Sequence, residues 1–303
     1  MTAVDRTAWS ASAAVQHRRG LLLVAGAAIV WSSGGAIARM IEADPWTTIF
    51  WRSAFACLAL LLYLVVRDRG RLLETFRGLG LPGLVLALCF ATASTSFVVA
   101  LSLTTVANIL LIQATAPFIA ALLGWILMRE RVRRRSWLAM FAALVGIAIM
   151  VWDSLSRGSV PGTLLSILIG ISFAGAIVTT RRHRDIRMTP AACLATAITA
   201  LAALAWGTPL AVSAADLGYT ALFGAGQLAL GLILFTNGAR LVPAAQAALM
   251  SVLETILGPI WVWLAFAENP GPWVLLGGAI VVVALVIHTL VDLRLSRAVP
   301  PAV

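Results

Sequence analysis

The chain has 303 residues, of which 61% are hydrophobic and 11% charged, and it carries a formal net charge of +10 at pH 7. Its mean hydropathy is +0.98. One aqueous core could not take up that much apolar side chain and leave a soluble surface, so composition excludes a soluble globular protein and points to a polytopic membrane protein.

Apolar runs of about the 20 residues that cross a hydrocarbon core recur at 20–39, 46–66, 79–101, 106–128, 136–152, 160–180, 190–212, 217–238, 244–266 and 272–290. They are about twice as long as a tilted barrel strand needs, and backbone amides in lipid must be satisfied within the segment. The pattern therefore predicts an all-α protein with ten transmembrane helices. The first run follows Arg18 and Arg19 as a secretory signal would. Its apolar character outlasts an h-region of roughly 7 to 15 residues, so we read it as an uncleaved first span. Cys57, Cys89 and Cys193 stand singly in apolar runs and are expected as small core residues, with no disulfide or metal role.

The sequence has no Lys, so all 22 basic residues are Arg. With the N-terminus in the cytoplasm, 19 of them fall on that side, including RERVRRR at 129–135, and Arg39, Arg52 and Arg157 fall outside. This bias places both termini in the cytoplasm. Translocation bias and anionic lipid head groups then account for the basic loops, and no nucleic-acid partner is expected.

The two halves of the chain match at an offset of 138 residues. GWILMRE (124–130) falls on VWLAFAE (262–268), which aligns Glu130 with Glu268. TSFVVALSLTTVAN (95–108) falls on ILFTNGARLVPAAQ (233–246), which aligns Asn108 with Gln246. GGAIA (34–38) falls on AGAIV (174–178) at an offset of 140. The reading is two five-helix repeats, 20–152 and 153–290, flanked by cytoplasmic tails 1–19 and 291–303. Five is odd, so the second unit enters the membrane inverted, as in secondary transporters that alternate access around a midplane site.

NILLIQATAPFIAALLGWILMRER (108–131), WLAMFAALVGIAIMV (137–151) and AALMSVLETILGPIWVWLAFAE (247–268) resemble the EamA family of the drug/metabolite transporter superfamily. The likeness spans residues 20–290 and is greatest to ten-helix YddG-type exporters. One departure is that Thr255 stands where the family has a proline after the glutamate, with Pro259 four residues later. The resemblance implies export of amino acids, aromatic and other neutral ones, and of related small metabolites. It also permits a nucleotide-sugar or other small-metabolite carrier.

A charge at a helix centre costs roughly 2.5 to 3.5 kcal/mol on insertion scales. Of the 12 acidic residues, Glu254 alone falls within a turn of a run's centre. It is expected either to pack, protonated or hydrogen-bonded, or to face a cavity and bind a substrate amine or a proton. Gln227 is its expected partner. Trp31, mid-run in WSSGG, supplies an aromatic face beside Ser32 and Ser33 where a helix could break; a tight helix crossing with the Trp filling the gap is the alternative.

The expected cavity lining is thus Trp31, Ser32, Ser33, Gln227, Glu254 and Trp261, with Thr92 and Thr95 from ATASTSF (91–97). Arg39, Arg52, Asn108 and Gln246 are candidate gates. Arg39, Glu42, Asp44 and Arg52 gather at the outer ends of the first two runs, as surface ion pairs, an outer gate or a hold on a substrate carboxylate. No base is expected beside Glu254, a combination that favours zwitterionic, aromatic or cationic solutes.

His288 and Asp292, four apart in HTLVD, lack further ligands for a metal, and no GxSxG or HExxH supports an intramembrane enzyme. The expectation is a transporter of the bacterial inner membrane, not an enzyme, without catalytic residues, metal or cofactor. Its partners are a small-molecule substrate and the lipid bilayer. It is expected as a monomer, with a dimer left open.

Overall fold

The computed structural model describes residues 3–68, 71–103, 109, 112–113, 115–129, 132–150, 160–267 and 272–298. Among these the regular structure is helical throughout. The helices are α1 (Ala3–Ser32), α2 (Gly34–Ala38), α3 (Pro45–Asp68), α4 (Leu72–Arg77), α5 (Gly80–Leu103), α6 (Ala116–Met128), α7 (Arg134–Met150), α8 (Val160–Arg182), α9 (Thr189–Ala203), α10 (Ala214–Ala221), α11 (Leu230–Gly238), α12 (Ala244–Ser251), α13 (Leu253–Phe266) and α14 (Pro272–Ala298). A π-helical stretch, Leu222–Ala229, joins α10 to α11, and a short 3₁₀ turn, Ala239–Leu241, follows α11.

Among the described residues, six helical spans are long and apolar enough to cross a membrane: Val15–Ala38, Pro45–Asp68, Gly80–Leu103, Val160–Arg182, Ala214–Leu241 and Ala244–Phe266. Ala116–Met128, Thr189–Ala203 and Leu275–His288 are shorter apolar helices. The chain is a multi-pass helical membrane protein.

Local chemistry sets the helix ends. Asp44 caps α3, with its Oδ1 accepting from the Trp46 and Thr47 amides at 2.9 and 3.0 Å, and Pro45 occupies the first turn where no amide is missed. Ser213 caps α10 and accepts from the Asp216 amide at 3.0 Å. α6 and α13 both close on a left-handed residue, Arg129 and Ala267, each with φ of 54°. These are the only non-glycine residues with positive φ among the described residues, and they stand 138 apart, the same offset at which the halves of the sequence match.

Two expected spans are interrupted. The run at 20–39 breaks at Ser33, between α1 and α2, and the run at 244–266 breaks at Val252, between α12 and α13. At the second break, the Val252 and Thr255 amides bond carbonyls three residues back, Leu249 and Val252. The run at 190–212 ends as helix at Ala203 and continues in turns.

Packing follows a simple scheme when the ten runs are numbered in chain order. Run 1 packs on run 8 (α1 on α11), as run 6 does on run 3 (α8 on α5). Run 2 packs on run 8 (α3 on the π-helical stretch), as run 7 does on run 3 (α9 on α5). Run 1 packs on run 9 (α1 on α12 and α13), as run 6 does on run 4 (α8 on α6), and runs 2 and 7, 4 and 9, and 5 and 10 pack on each other. Exchanging the first five runs for the last five maps these main contacts onto themselves.

α3 is tied to the second half at both ends. Near its start, the Glu42 amide donates to Asp216 Oδ1 (3.0 Å), the Thr208 amide to Thr47 Oγ1 (3.0 Å) and Trp51 Nε1 to the Pro209 carbonyl (2.9 Å). At its far end, Arg187 pairs with Asp68 at 2.6 Å. Between them the Cys57 and Cys193 thiols lie 3.9 Å apart. Both cysteines are free, but they are neighbours across the two halves, a juxtaposition their isolated positions in the sequence did not announce.

Burial opposes the Asp44 charge, but hydrogen bonds from Thr47, Trp46 and Thr208 outweigh it and hold the carboxyl below the ordinary carboxylate range. A lowered value means the cap stabilises above the unfolded-state value and is lost as pH falls through the folded one. Asp44→Ala is therefore expected to cost about 1 kcal/mol near neutral pH. In detergent unfolding curves, the difference from the parent protein should shrink as pH is taken below the ordinary carboxylate range.

Candidate functional site

The break at Ser33 organises the site. It frees the Trp31 carbonyl from its usual place in the helix, and Gln227 Nε2 donates to that oxygen at 2.8 Å. The approach is close: a Cβ on Gly34 would meet Gln227 Nε2 at 2.8 Å and the Phe223 ring at 3.3 Å, so Gly34 is the residue that allows it. Gln227 and Phe223 both lie on the π-helical stretch. Its wider turn carries Phe223, Gly224 and Gln227 to the buried side, with Gln227 turned toward α1 and Phe223 toward α3. The expectation that Gln227 is partnered by Glu254 is corrected, since its amide is spent on the interrupted helix.

Arg52 is drawn into the same region. Arg52 is 6% exposed; its Nη1 donates to Ser94 Oγ at 3.1 Å, and its guanidinium sits over the Phe223 ring, 4.3 Å from the centroid. It leaves the group of charges at the start of α3 and turns inward, because the second turn of α3 faces the π-helical stretch and a Cβ on Gly224 would stand only 2.2 Å from the Arg52 carbonyl. This overturns the expectation that no basic residue lies deep among the helices.

Glu254 itself is half-buried, in the first turn of α13. The sequence places it in the middle of one helix; the break at Val252 puts it at a helix start, where amides and the helix dipole favour a carboxylate. The family's proline position is Thr255, and the helix breaks nonetheless. Glu254, Gly258 and Trp261 share a face of α13, and that face meets the α1 break: Trp261 Nε1 donates to Ser32 Oγ at 2.7 Å. Ser32 in turn donates to the Ile29 carbonyl, and Ser33 to that of Val30.

Trp31 is drawn into the core. It is 8% exposed and packs with Phe235 (5.3 Å) and Phe173 (6.0 Å), part of an aromatic cluster that includes Phe90. Its backbone carbonyl, not its ring, meets Gln227. Thr92 and Thr95 are half-buried on α5; Ser94, between them, is the hydroxyl that reaches Arg52 and was not singled out among the neighbouring hydroxyls.

Of the candidate gates, Arg39 is exposed, with its guanidinium 6.0 Å from the Phe266 ring centroid, and Gln246 is buried at the start of α12. Asn108, Glu130, Glu268 and Arg157 lie outside the described residues. His288 is buried and bonds Ser136 Oγ at 3.0 Å. Among the described residues no group of three or more His, Cys, Asp or Glu could hold a metal ion.

Four buried polar atoms around this region have no hydrogen-bond partner among the described residues: Arg52 Nε, Ser53 Oγ, Gln227 Oε1 and Trp31 Nε1. Buried polar groups are normally satisfied, so such a concentration marks a place where a polar solute or water belongs.

Residues 18–152 match the EamA-like transporter family. The match takes in 135 of the 303 residues, a little under half of the chain. It is 26% identical over 208 residues to the uncharacterized transporter YwfM of Bacillus subtilis, covering 66% of this chain and 70% of that one. It is 28% identical over 174 residues to the protein RarD of Salmonella typhi, covering 54% and 56% of the two chains. Against the uncharacterized transporter PA0485 of Pseudomonas aeruginosa the identity is 28% over 192 residues, covering 61% and 62%. A crystal structure shares the fold with a TM-score of 0.77 over 90% of this chain and 97% of that chain, at 17% identity. These likenesses support a small-molecule transporter of the drug/metabolite transporter superfamily.

Replacing Gln227 by Leu keeps the bulk but strands the Trp31 carbonyl. The variant is expected to lose about 1 to 3 kcal/mol of unfolding free energy in detergent, whereas Thr92→Val should stay within about 0.5 kcal/mol.

Proposed function

We propose that this EamA-family transporter exports amino acids, aromatic and other neutral ones, and related small metabolites across the bacterial inner membrane by alternating access. The observation that carries the proposal is the buried Arg52 of α3, whose guanidinium rests over Phe223 beside Ser94 and whose Nε is unpartnered among the described residues; Glu254, in the first turn of α13, supplies the opposite charge from the other half of the chain. A neutral amino acid carries one positive and one negative group of its own, and such a site complements it without leaving net charge buried.

The architecture supports the transport mode. The self-matching packing scheme and the equivalent left-handed helix ends at Arg129 and Ala267 fit two related five-span units, and inversion of one follows from their odd number. Helices broken at Ser33 and Val252 are what a transporter site at a repeat interface requires. The rival nucleotide-sugar reading gains Arg52 as a deep base, but a diphosphate needs positive charge in excess, and here Glu254 offsets the arginine.

The test is efflux and counterflow from liposomes containing the purified protein, run against the twenty amino acids and a few amines. Neutral and aromatic amino acids are expected to move, and Glu254→Gln is expected to slow them by about tenfold or more while the protein stays monodisperse in detergent. Movement of none of the twenty would remove the amino-acid reading; full activity of Glu254→Gln would remove the acid from the mechanism.

A further inference from the structure

Run 1 has an opening on its inner face. Val24, Ala28, Trp31 and Gly35 recur at helical spacing, and Ser33 keeps right-handed helical angles, with φ of −72° and ψ of −11°, so one face continues across the break. Val24, Ala28 and Trp31 are buried. Gly35 is exposed, although Gly34, Ala36 and Ile37 beside it are buried. The outer side of α1 is marked by the exposed Leu22 and Ile29. Gly35 stands about 120° round the helix from Ile29, at roughly 100° per residue, and so opens toward the interior of the bundle.

The room beside Gly35 is not used by the protein. A Cβ there would meet nothing within 4 Å among the described residues, whereas a Cβ on Gly34 would meet Gln227 Nε2 at 2.8 Å. Gly80 is the one described glycine with positive φ, so neither backbone angle nor close approach accounts for a glycine at 35, and glycine weakens a helix relative to alanine. One turn back on the same face, the Trp31 ring packs with Phe173 and Phe235. To one side stands α13, where Trp261 is exposed even though its Nε1 is spent on Ser32 Oγ. A face sealed by aromatic rings at one turn and open at the next has the form of a path leading down to a site.

We propose that Gly35 forms part of the wall of the solute path and that its missing side chain sets the bulk of the solute that can pass, making it a size-selecting position of the transporter. The proposal rests on the amino-acid reading above and adds to it that large aromatic side chains pass because residue 35 has none. A side chain placed at 35 would enter the path and not the protein core, so the fold tolerates it while bulky solutes are turned away.

Labelling in open membrane fragments, where both faces are accessible, tests the wall directly. Gly35→Cys is treated with a charged, membrane-impermeant methanethiosulfonate, beside Ile29→Cys as the lipid-facing control and the parent protein as the background of its free cysteines. The reactive thiolate forms in water and not in lipid, so Gly35→Cys is expected to label about tenfold or more faster than either, and phenylalanine to slow it. Labelling no faster than Ile29→Cys overturns the proposal.

The second arm compares efflux of alanine and tryptophan from liposomes by the parent protein, Gly35→Ala and Gly35→Leu. Gly35→Leu is expected to slow tryptophan about tenfold or more and alanine much less, with Gly35→Ala between. Equal slowing of the two solutes, or none, overturns the size selection. The labelling arm decides the matter if Gly35→Leu does not reach the membrane. If the parent protein moves none of the twenty amino acids, the amino-acid reading has failed and labelling judges the wall alone; if it moves them and Gly35→Leu does so equally well, only the size selection has failed.

Discussion

A guanidinium buried in an apolar helical bundle must be compensated, and the surroundings of Arg52 are arranged to do so. An isolated buried charge is far costlier than any single hydrogen bond can offset. Here two sources of compensation converge from two elements: the Ser94 hydroxyl from α5 and the Phe223 ring from the π-helical stretch. The π-helical turn and the glycine at 224 each make sense as what is needed to bring those groups to one place. The break at Ser33 belongs to the same arrangement, since Gln227, one helical turn beyond Phe223, closes the carbonyl that the break exposes.

The framework around the site is close to symmetric, but the site is not. At the offset of 138 residues, Glu254 falls on Ala116, and Gln227 falls on Cys89. The repeated packing and the paired left-handed ends at Arg129 and Ala267 therefore build a scaffold of two similar units, and the polar groups were placed on it one at a time. That is the expected division of labour for a transporter. Similar units allow two conformations of comparable energy. Ties between α3 and the second half, at Asp44 and Thr208 at one end and Asp68 and Arg187 at the other, keep runs 2 and 7 together as one body.

Much of the fold was legible because lipid imposes a length on every span, so the apolar runs mark the helices without any appeal to propensity. Glu254 was legible for the same reason, as an acid where acids are expensive. Arg52 was misjudged because depth was read from its distance to the end of a run. Seven residues into α3 looks peripheral, but a long side chain pointing into the bundle is central. A charge followed by a turn of small residues, Ser53, Ala54 and Ala56, was the available signal.

Ser94 was hidden among neighbouring hydroxyls, because nothing in ATASTSF says which one points toward another helix. The π-helical stretch leaves no mark in a 3.6-residue period, although Gly224 and Gly226 hinted that something approaches closely there. The break at Val252 has neither Gly nor Pro at the interruption, so local sequence could not locate it. Trp31 was read two ways, as a cavity wall or as the filling of a tight helix crossing; its ring packs against Phe235 and Phe173, while its carbonyl meets Gln227.

The central claim is that Arg52 and Glu254 supply opposite charges to one site from the two halves of the chain. A double-mutant cycle on unfolding free energy in detergent, without added substrate, tests it most directly, using Arg52→Gln, Glu254→Gln and the double variant. Coupled charges predict that the double variant is less destabilised than the sum of the two single variants by about 1 kcal/mol or more. Additivity to within about 0.3 kcal/mol would show that the two charges do not act on each other and would contradict the account.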